Sequence, residues 1–471
     1  MHLNFFTLLI ADEQAIKALK DYKRKYEDEE DVHFEVSFKN VYPSSIPRVY
    51  PRLVKEDIYT MQSSMLDTYV PSKKKVQQQQ KDFNLGQEIF FNKLIEEREE
   101  HRFILVVGNP GSGKTVAYKR LSKQCDKFPH RICLNTRFID IDYGDDDKLS
   151  LRELLIDRPY SELPEVTRNL IWNWVFANQD KCMLLIDGLD QVNWNLPPTL
   201  PKFDLDKKMS ACELVASVWN GNFLKDVFVV ATSRPHAALS IPKAMRPNAT
   251  YYLQDLFPED AKMLFRCYIK AKDDNLWNNI KSDAPQLHSF CLSPLILQFV
   301  ARACITKSGI SVTGLISITR VYITALSDLQ HCSNFRQQNL RRNMQRMAKV
   351  AFDATRDSTV VVSERRLVQE GLDVDTVQDL VIVFHNRKGA SAKIMKGERK
   401  LHFTHQTVQE CFAALHILQG MSVVEFQDFA ESIFFLDHWS MVRQFTCGIM
   451  LDIALKKGLF LCVLFHILYF M

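Results

Sequence analysis

A chain of 471 residues, 46% hydrophobic and 25% charged, is too long for one compact core and too apolar for wholesale disorder; about three folded units are expected. Lys and Arg number 60 against 56 Asp and Glu, a formal charge of +4, which excludes a dominant attraction to nucleic acid or membrane and leaves polyanions to a local site. Eleven cysteines, an odd number without a CxxC pair, read as reduced thiols of a cytosolic protein rather than a secreted disulfide framework.

At the N-terminus, MHLNFFTLLIADEQAIKALK has a short apolar run, no basic flank and acids at once behind it, a poor match to a signal peptide. The charge run KDYKRKYEDEEDVH reads as a solvated face or flexible stretch. Pro43, Pro47 and Pro51 break the chain into turns and extended pieces, and PSKKKVQQQQKD (71–82) reads as a linker or an exposed helix start. From residue 86 the pattern changes. GQEIFFNKLIEEREE looks helical, and RFILVVG is an apolar run ending in glycine, as a buried strand does. A helix is expected after Lys114. HRICLNTRFIDI (130–141), CMLLIDGLD (182–190) and DVFVVATSRP (226–235) read as further strands with helical stretches between them. That alternation predicts an α/β fold with a parallel, doubly wound sheet.

Past about residue 255 the strands thin out, and PEDAKMLFRCYIKA, PLILQFVARACI, SITRVYITALSDL and LRRNMQRMAKVAFDA all carry helical spacing. A β-tinged section at 358–405 is followed by helix at QTVQECFAALHILQG, and no regular repeat is present. The last 14 residues, GLFLCVLFHILYFM (458–471), are nearly all apolar. They fall short of the ~18–20 that a spanning helix needs, so a core helix cut off from its partners or a non-native end is expected there, with a tail anchor as the alternative.

Gly108-Asn109-Pro110-Gly111-Ser112-Gly113-Lys114-Thr115 fits G-x-x-x-x-G-K-[ST] without a mismatch. Glycines let successive backbone N–H groups turn inward around phosphates at a helix N-terminus. Lys114 is expected on the β- and γ-phosphates of a nucleotide and the Thr115 hydroxyl on Mg²⁺. Asp187, ending an apolar strand, is the expected acid for that metal. Asp190 is the candidate for polarising an attacking water, and Arg234, delivered to the same sheet edge, for sensing a γ-phosphate. These residues point to a P-loop NTPase that takes a nucleotide with Mg²⁺.

Taken together they resemble the NACHT family of signalling ATPases, the switch module of NOD-like receptors. The resemblance rests on Asp187-Gly188-Leu189-Asp190, on Thr232 to Pro235, and on RICLNTRFIDI followed by LSLRELL (149–155), which are similar to the family's second strand and next helix. SPLILQFVA (293–301) is similar to the stretch whose proline, here Pro294, sits against adenine. FTHQTVQECFAAL (403–415) resembles the winged-helix signature through Phe403, His405, Gln409, Glu410, Phe412, Ala413 and Ala414. The resemblance gives His405 a contact to the β-phosphate of ADP that keeps the module closed. VKEDIYTMQ (54–62) is similar to the segment before many such domains, and MVRQFTCGIML to the start of a second helical domain.

The resemblance implies an N-terminal region of unassigned role (1–53), a preceding segment and linker (54–85) and the nucleotide-binding domain (86–250). Helical (251–318), winged-helix (319–420) and second helical (421–471) domains follow, the last cut short. It implies an ADP-locked cytoplasmic switch that oligomerises on exchange for ATP, in innate immunity or cell death, with sensor and effector supplied elsewhere. No direct nucleic-acid site and no membrane span are expected. One departure bears on hydrolysis: Gln191 stands where the family usually has Glu, and a neutral amide cannot act as a base, so the ATPase is slow or inactive if hydrolysis depends on that acid and active if Asp190 suffices. A scaffold with little hydrolysis is the alternative, and a P-loop kinase the runner-up enzyme. No N-K-x-D sequence supports a GTPase.

Overall fold

The computed structural model describes residues 14, 16–23, 52–55, 101–125, 132–137, 148–191, 207–242, 245–269, 275–305, 317–332, 340–357, 359, 361–372, 377, 381–385, 399–403, 405–434 and 436–457. The expected helix at 86–100, the linker at 71–82 and the apolar end at 458–471 lie outside them. The chain divides into two compact units, one formed by Met1–Val36, Tyr50–Gln254 and Arg387–Lys393, the other by Ser37–Val49, Asp255–Asn386 and Ile394–Met471.

The first unit is built on six strands: β1 (Arg52–Lys55), β2 (Phe103–Gly108), β3 (Ile132–Arg137), β4 (Cys182–Asp187), β5 (Phe228–Ser233) and β6 (Ala249–Gln254). Their order is β1-β6-β2-β5-β4-β3. The five from β6 to β3 run parallel, and β1 joins the β6 edge antiparallel. Successive side chains of a strand face opposite ways. Phe103, Leu105 and Val107 accordingly enter one core while Ile104 and Val106 enter another, and β4 and β5 divide the same way. Both faces are covered, which is why these strands read as unbroken apolar runs.

Helix α1 (Lys114–Cys125) gives Tyr118, Leu121 and Cys125 to one face. On the other, α2 (Glu165–Ala177) contributes Ile171, Trp174 and Val175, and α3 (Ala211–Trp219) contributes Leu214, Val215 and Val218. Ser210 and Glu213 start α3 with reciprocal side-chain-to-backbone bonds. Short α4 (Pro235–Ser240) follows β5. Residues 16–23 are helical, and Ile16 and Leu19 join the α2/α3 core. Tyr22 meets Tyr160 edge-on at 5.5 Å.

Two features depart from the sequence expectation. LSLRELL opens as a helix, with Glu153 accepting the Ser150 N–H (2.7 Å), then widens into a π-helical turn over Glu153–Asp157 closed by Arg158 N–H to the Glu153 carbonyl (3.1 Å). Strand β6 was not anticipated. Its ATYYLQ run, rich in aromatic and β-branched residues behind Pro247-Asn248, is an ordinary strand signal.

The second unit is mainly helical: α5 (Pro258–Ile269), α6 (Asn275–Asp283), α7 (Pro285–Phe290), α8 (Pro294–Ile305), α9 (Ile318–Cys332), α10 (Leu340–Arg356), α11 (Glu364–Gln369), α12 (Gln406–Gly420), α13 (Val423–Phe429) and α14 (Ser440–Lys457). Strands β7 (Val361–Ser363), β8 (Val381–His385) and β9 (Arg399–Phe403) form an antiparallel sheet in the order β7-β9-β8. Helix α12 packs on α10 and α14. Alanines at 348, 351, 354, 413 and 414 are buried there beside Phe412, Trp439 and Phe445; small residues let helix axes approach and leave space for the rings. Phe403, Gln409, Glu410, Phe412, Ala413 and Ala414 are all buried. Gln409 donates to Thr355 Oγ1 (3.2 Å) and the Thr359 carbonyl (3.0 Å), so much of that sequence signature is a packing signature.

Cys125, Cys133, Cys182, Cys212, Cys267, Cys291, Cys304, Cys411 and Cys447 are free thiols, and burial pushes Cys411 up to about 12, far from a reactive thiolate. Among the described residues no helix is long and apolar enough to cross a membrane.

Candidate nucleotide-binding site

The carboxyl ends of β2, β4 and β5 finish at one level. Val107 pairs with Ser233, Gly108 with Leu253, and Ile186 with Ala231. That register sets Gly108, Asp187 and the Thr232–Arg234 tip along one edge of the sheet, where ligands of open α/β sheets bind. Strand β5 stands between β2 and β4, so the loop after β2 and the acid ending β4 face each other across it.

The loop from Gly108 to Thr115 is bent tightly. Gly111 and Gly113 take φ of 79° and 96°, which side chains with a Cβ resist. Ser112 N–H closes a turn on the Asn109 carbonyl (3.2 Å), and Ala117 N–H bonds to the Gly113 carbonyl (2.9 Å) as α1 begins. A Cβ on Gly108 would stand 2.6 Å from Ser112 Oγ and 3.0 Å from Leu253 Cβ, so only glycine fits beneath the loop. Pro110 sits half-buried at its crest. Lys114 Nζ reaches back to the carbonyls of Gly108 (2.8 Å) and Asn109 (3.0 Å), holding its charge over the loop.

Ser112 Oγ is buried without a hydrogen-bond partner among the described residues. A buried hydroxyl left so costs about 1–3 kcal/mol, and a phosphate oxygen is the kind of acceptor it lacks. The residues therefore fit a nucleotide's phosphates: an orphaned donor, a fixed cation and the α1 N-terminus converge on one loop.

Asp187 is 7% exposed. Thr115 Oγ1 donates to its Oδ2 (2.9 Å) and Thr232 Oγ1 to its Oδ1 (2.5 Å). This pair of oxygen ligands fits Mg²⁺, which takes few protein ligands and completes its shell with phosphates and water; when bound, it would neutralise phosphate charge. Among the described residues no group of three His, Cys, Asp or Glu could hold a metal by itself.

Asp190 lies in the 3₁₀ turn Leu189–Gln191, entered through Gly188 at φ 86°. Its Oδ2 takes Arg234 Nε at 3.1 Å, and both side chains are only 6% exposed. Sequence reasoning placed both residues at this edge and missed their pairing. The guanidinium expected to sense phosphate and the carboxylate expected to polarise water hold each other.

Pro294 and His405 lie in the second unit. Pro294 is the first residue of α8, where its fixed φ and missing N–H are tolerated. His405 is the N-cap of α12: its Nδ1 accepts Thr407 N–H (3.1 Å) and lies 2.7 Å from Thr407 Oγ1, itself 2.8 Å from the Tyr322 hydroxyl. With Nδ1 accepting from the backbone, the neutral ring carries its proton on Nε2. Tyr322, 85 residues away, had no sequence signal tying it to His405.

Residues 102–272 match the NACHT domain family model. Over 335 residues the chain is 22% identical to the Mus musculus "NACHT, LRR and PYD domains-containing protein 1b allele 3", covering 69% of this chain and 27% of that protein. Over 363 residues it is 22% identical to Mus musculus Protein NLRC5, covering 74% of this chain and 18% of that one. The chain thus spans 27% or less of the length of these relatives. A signal-transduction ATPase with a tetratricopeptide-repeat sensor from Pyrococcus horikoshii aligns over 80% of this chain and 57% of its own, at 13% identity. Its TM-score is 0.32. Residues 102–272 carry the NACHT match, with the phosphate loop, Asp187 and Arg234 inside it, and the chain is similar over about 70% of its length to proteins of the NOD-like receptor type.

Proposed function

We propose that the protein is an ADP/ATP switch, closed with ADP and released to self-assemble when ATP replaces it. The observation that carries this is the buried, unpartnered Ser112 hydroxyl inside a loop whose lysine and glycines are already in place. In this reading Gly108, Asn109, Pro110, Gly111, Ser112, Gly113, Lys114 and Thr115 cradle the phosphates, and Thr115 with Asp187 holds Mg²⁺. Pro294 packs on adenine from a helical domain, and His405 donates Nε2–H to the β-phosphate from a winged-helix domain built on β7–β9, α10 and α12. An imidazole from another domain would couple phosphate occupancy to domain packing. Exchange then shifts the population by differential affinity for the two nucleotides. The NACHT match and the named relatives support the reading, and with it a cytoplasmic role in innate immunity or cell death.

A second reading is a nucleotide-holding scaffold with little hydrolysis. It is favoured by the Asp190–Arg234 ion pair and the neutral Gln191 beside it.

The test is to purify the protein without added nucleotide, denature it and identify what is released by ion-exchange chromatography. Near-stoichiometric ADP is expected. Folded protein that releases no adenine nucleotide would overturn the ADP-locked switch.

A further inference from the structure

The tip of β5 engages both acids of Asp187-Gly188-Leu189-Asp190. Arg234 holds Asp190, and Thr232, two residues before it, holds Asp187. Thr232 is 3% exposed. A threonine hydroxyl has one hydrogen to donate and lone pairs to accept with. The Gly188 N–H donates to Thr232 Oγ1 at 3.0 Å. An ionised Asp187 offers only acceptors, so the Thr232 hydrogen goes to Asp187 Oδ1, 2.5 Å away. The direction of this chain is therefore set: Gly188 N–H to Thr232, and Thr232 O–H to Oδ1.

Its consequence lies at the other oxygen. With Oδ1 held by Thr232, Oδ2 is the atom beside Thr115 Oγ1 (2.9 Å). The threonine is itself stiff. It is β-branched within a strand, and the neighbouring pair, Ile186 with Ala231, locks β4 to β5. The bond to Gly188 reaches the turn that leaves β4 at positive φ, so one hydroxyl secures both the carboxylate and the turn behind it.

We infer that Thr232 is a positioning residue that fixes the rotamer of Asp187, presenting Oδ2 beside Thr115 for a divalent cation on the nucleotide. The inference rests on the reading of this loop as a Mg²⁺–nucleotide site. Groups that orient a metal ligand from behind typically change metal affinity about 10–100-fold when removed. Thr232 touches neither nucleotide nor metal in this role, so its loss should weaken the metal's contribution and leave metal-free nucleotide binding alone.

The experiment measures ADP affinity by calorimetry for the full chain in Mg²⁺ and in EDTA, and takes the ratio. Thr232→Val, equal in shape and lacking the hydroxyl, should lower the ratio about 10-fold, with affinity in EDTA unchanged. Thr232→Ser, which keeps the hydroxyl, should keep the wild-type ratio. If the valine chain fails to fold, Thr232→Ala reads the same ratio. A wild-type ratio in the valine or alanine chain, or equal losses in Mg²⁺ and EDTA, would overturn the positioning role while leaving the nucleotide site intact. A wild-type chain that binds ADP in neither buffer would instead overturn the switch reading on which this one stands.

Discussion

The strand-end cluster of the first unit and the α12 N-terminus of the second solve opposite problems with similar groups. Around His405 the polar atoms satisfy one another: the Tyr322 hydroxyl, Thr407 Oγ1, the ring Nδ1 and the Thr407 N–H form one run. At the phosphate loop the account is left open, with Ser112 Oγ buried and unpartnered while Lys114 rests on the loop's own carbonyls. Folding alone explains the first arrangement. The second carries a cost that a phosphate oxygen would remove, and it lies in a loop whose glycines and lysine are already shaped for phosphate.

The largest effect that could break this contrast lies at the buried ion pair. Removing one partner leaves the other charge uncompensated, which costs about 3–5 kcal/mol. Arg234→Ala should therefore lower stability by that order in urea unfolding, since Asp190 has little solvent to turn to. The double change Arg234→Met with Asp190→Leu should recover most of it, because a buried pair is often matched by apolar residues of similar volume. A small loss in the single variant would mean that the pair is screened by water and the strand ends are wetter than their burial indicates.

A smaller effect sharpens the contrast from both sides. Thr407→Val strips partners from Tyr322 and His405 and should cost about 1–3 kcal/mol of stability. Ser112→Ala removes a buried hydroxyl that has no partner among the described residues, so stability without nucleotide should rise by about 1–3 kcal/mol while ADP affinity falls about 10-fold, as for loss of a charge-assisted bond. Paired urea and calorimetric titrations check both. Equal stability losses would show that the two places are not different in kind.

How far the sequence reveals these places follows from how local each is. The phosphate loop is eight contiguous residues behind an apolar run, and a run of that kind is read correctly because both sheet faces are covered. Asp187, Asp190 and Arg234 were legible as strand-end residues. What they bond to was not: Arg234 and Asp190 are joined across two strands, and charge type alone does not reveal the pairing. Thr232 was legible as the first residue of the Thr232–Pro235 motif but without a role of its own, and its direction toward Asp187 depends on the Gly188 N–H, 44 positions away. Strand β6 was passed over although its composition is strand-like, because it borders the start of the helical stretch. In the second unit most residues of the signature around His405 are buried, so their pattern reports packing before it reports a ligand.

The smallest effect separates the units by pH. Among the described histidines whose behaviour shifts, His416 and His288 both belong to the second unit. Burial against Phe352, 5.0 Å from its ring, holds His416 below the ordinary histidine range. Lys349 pushes the same way, while Asp353, Glu370 and Glu425 oppose it. His288 is lowered by burial and then by Lys281. A base depressed in the folded state binds fewer protons there than when unfolded, so it removes no stability above its ordinary pKa of about 6.5 and removes it progressively as pH falls below that value. The urea midpoint of the second unit should thus be flat from about pH 8 to 7 and decline below about 6.5, before the paired carboxylates begin to titrate. His416→Phe keeps a ring beside Phe352 without a titrating nitrogen, and should shallow the decline. An unchanged slope in that variant would place the proton uptake elsewhere in the unit.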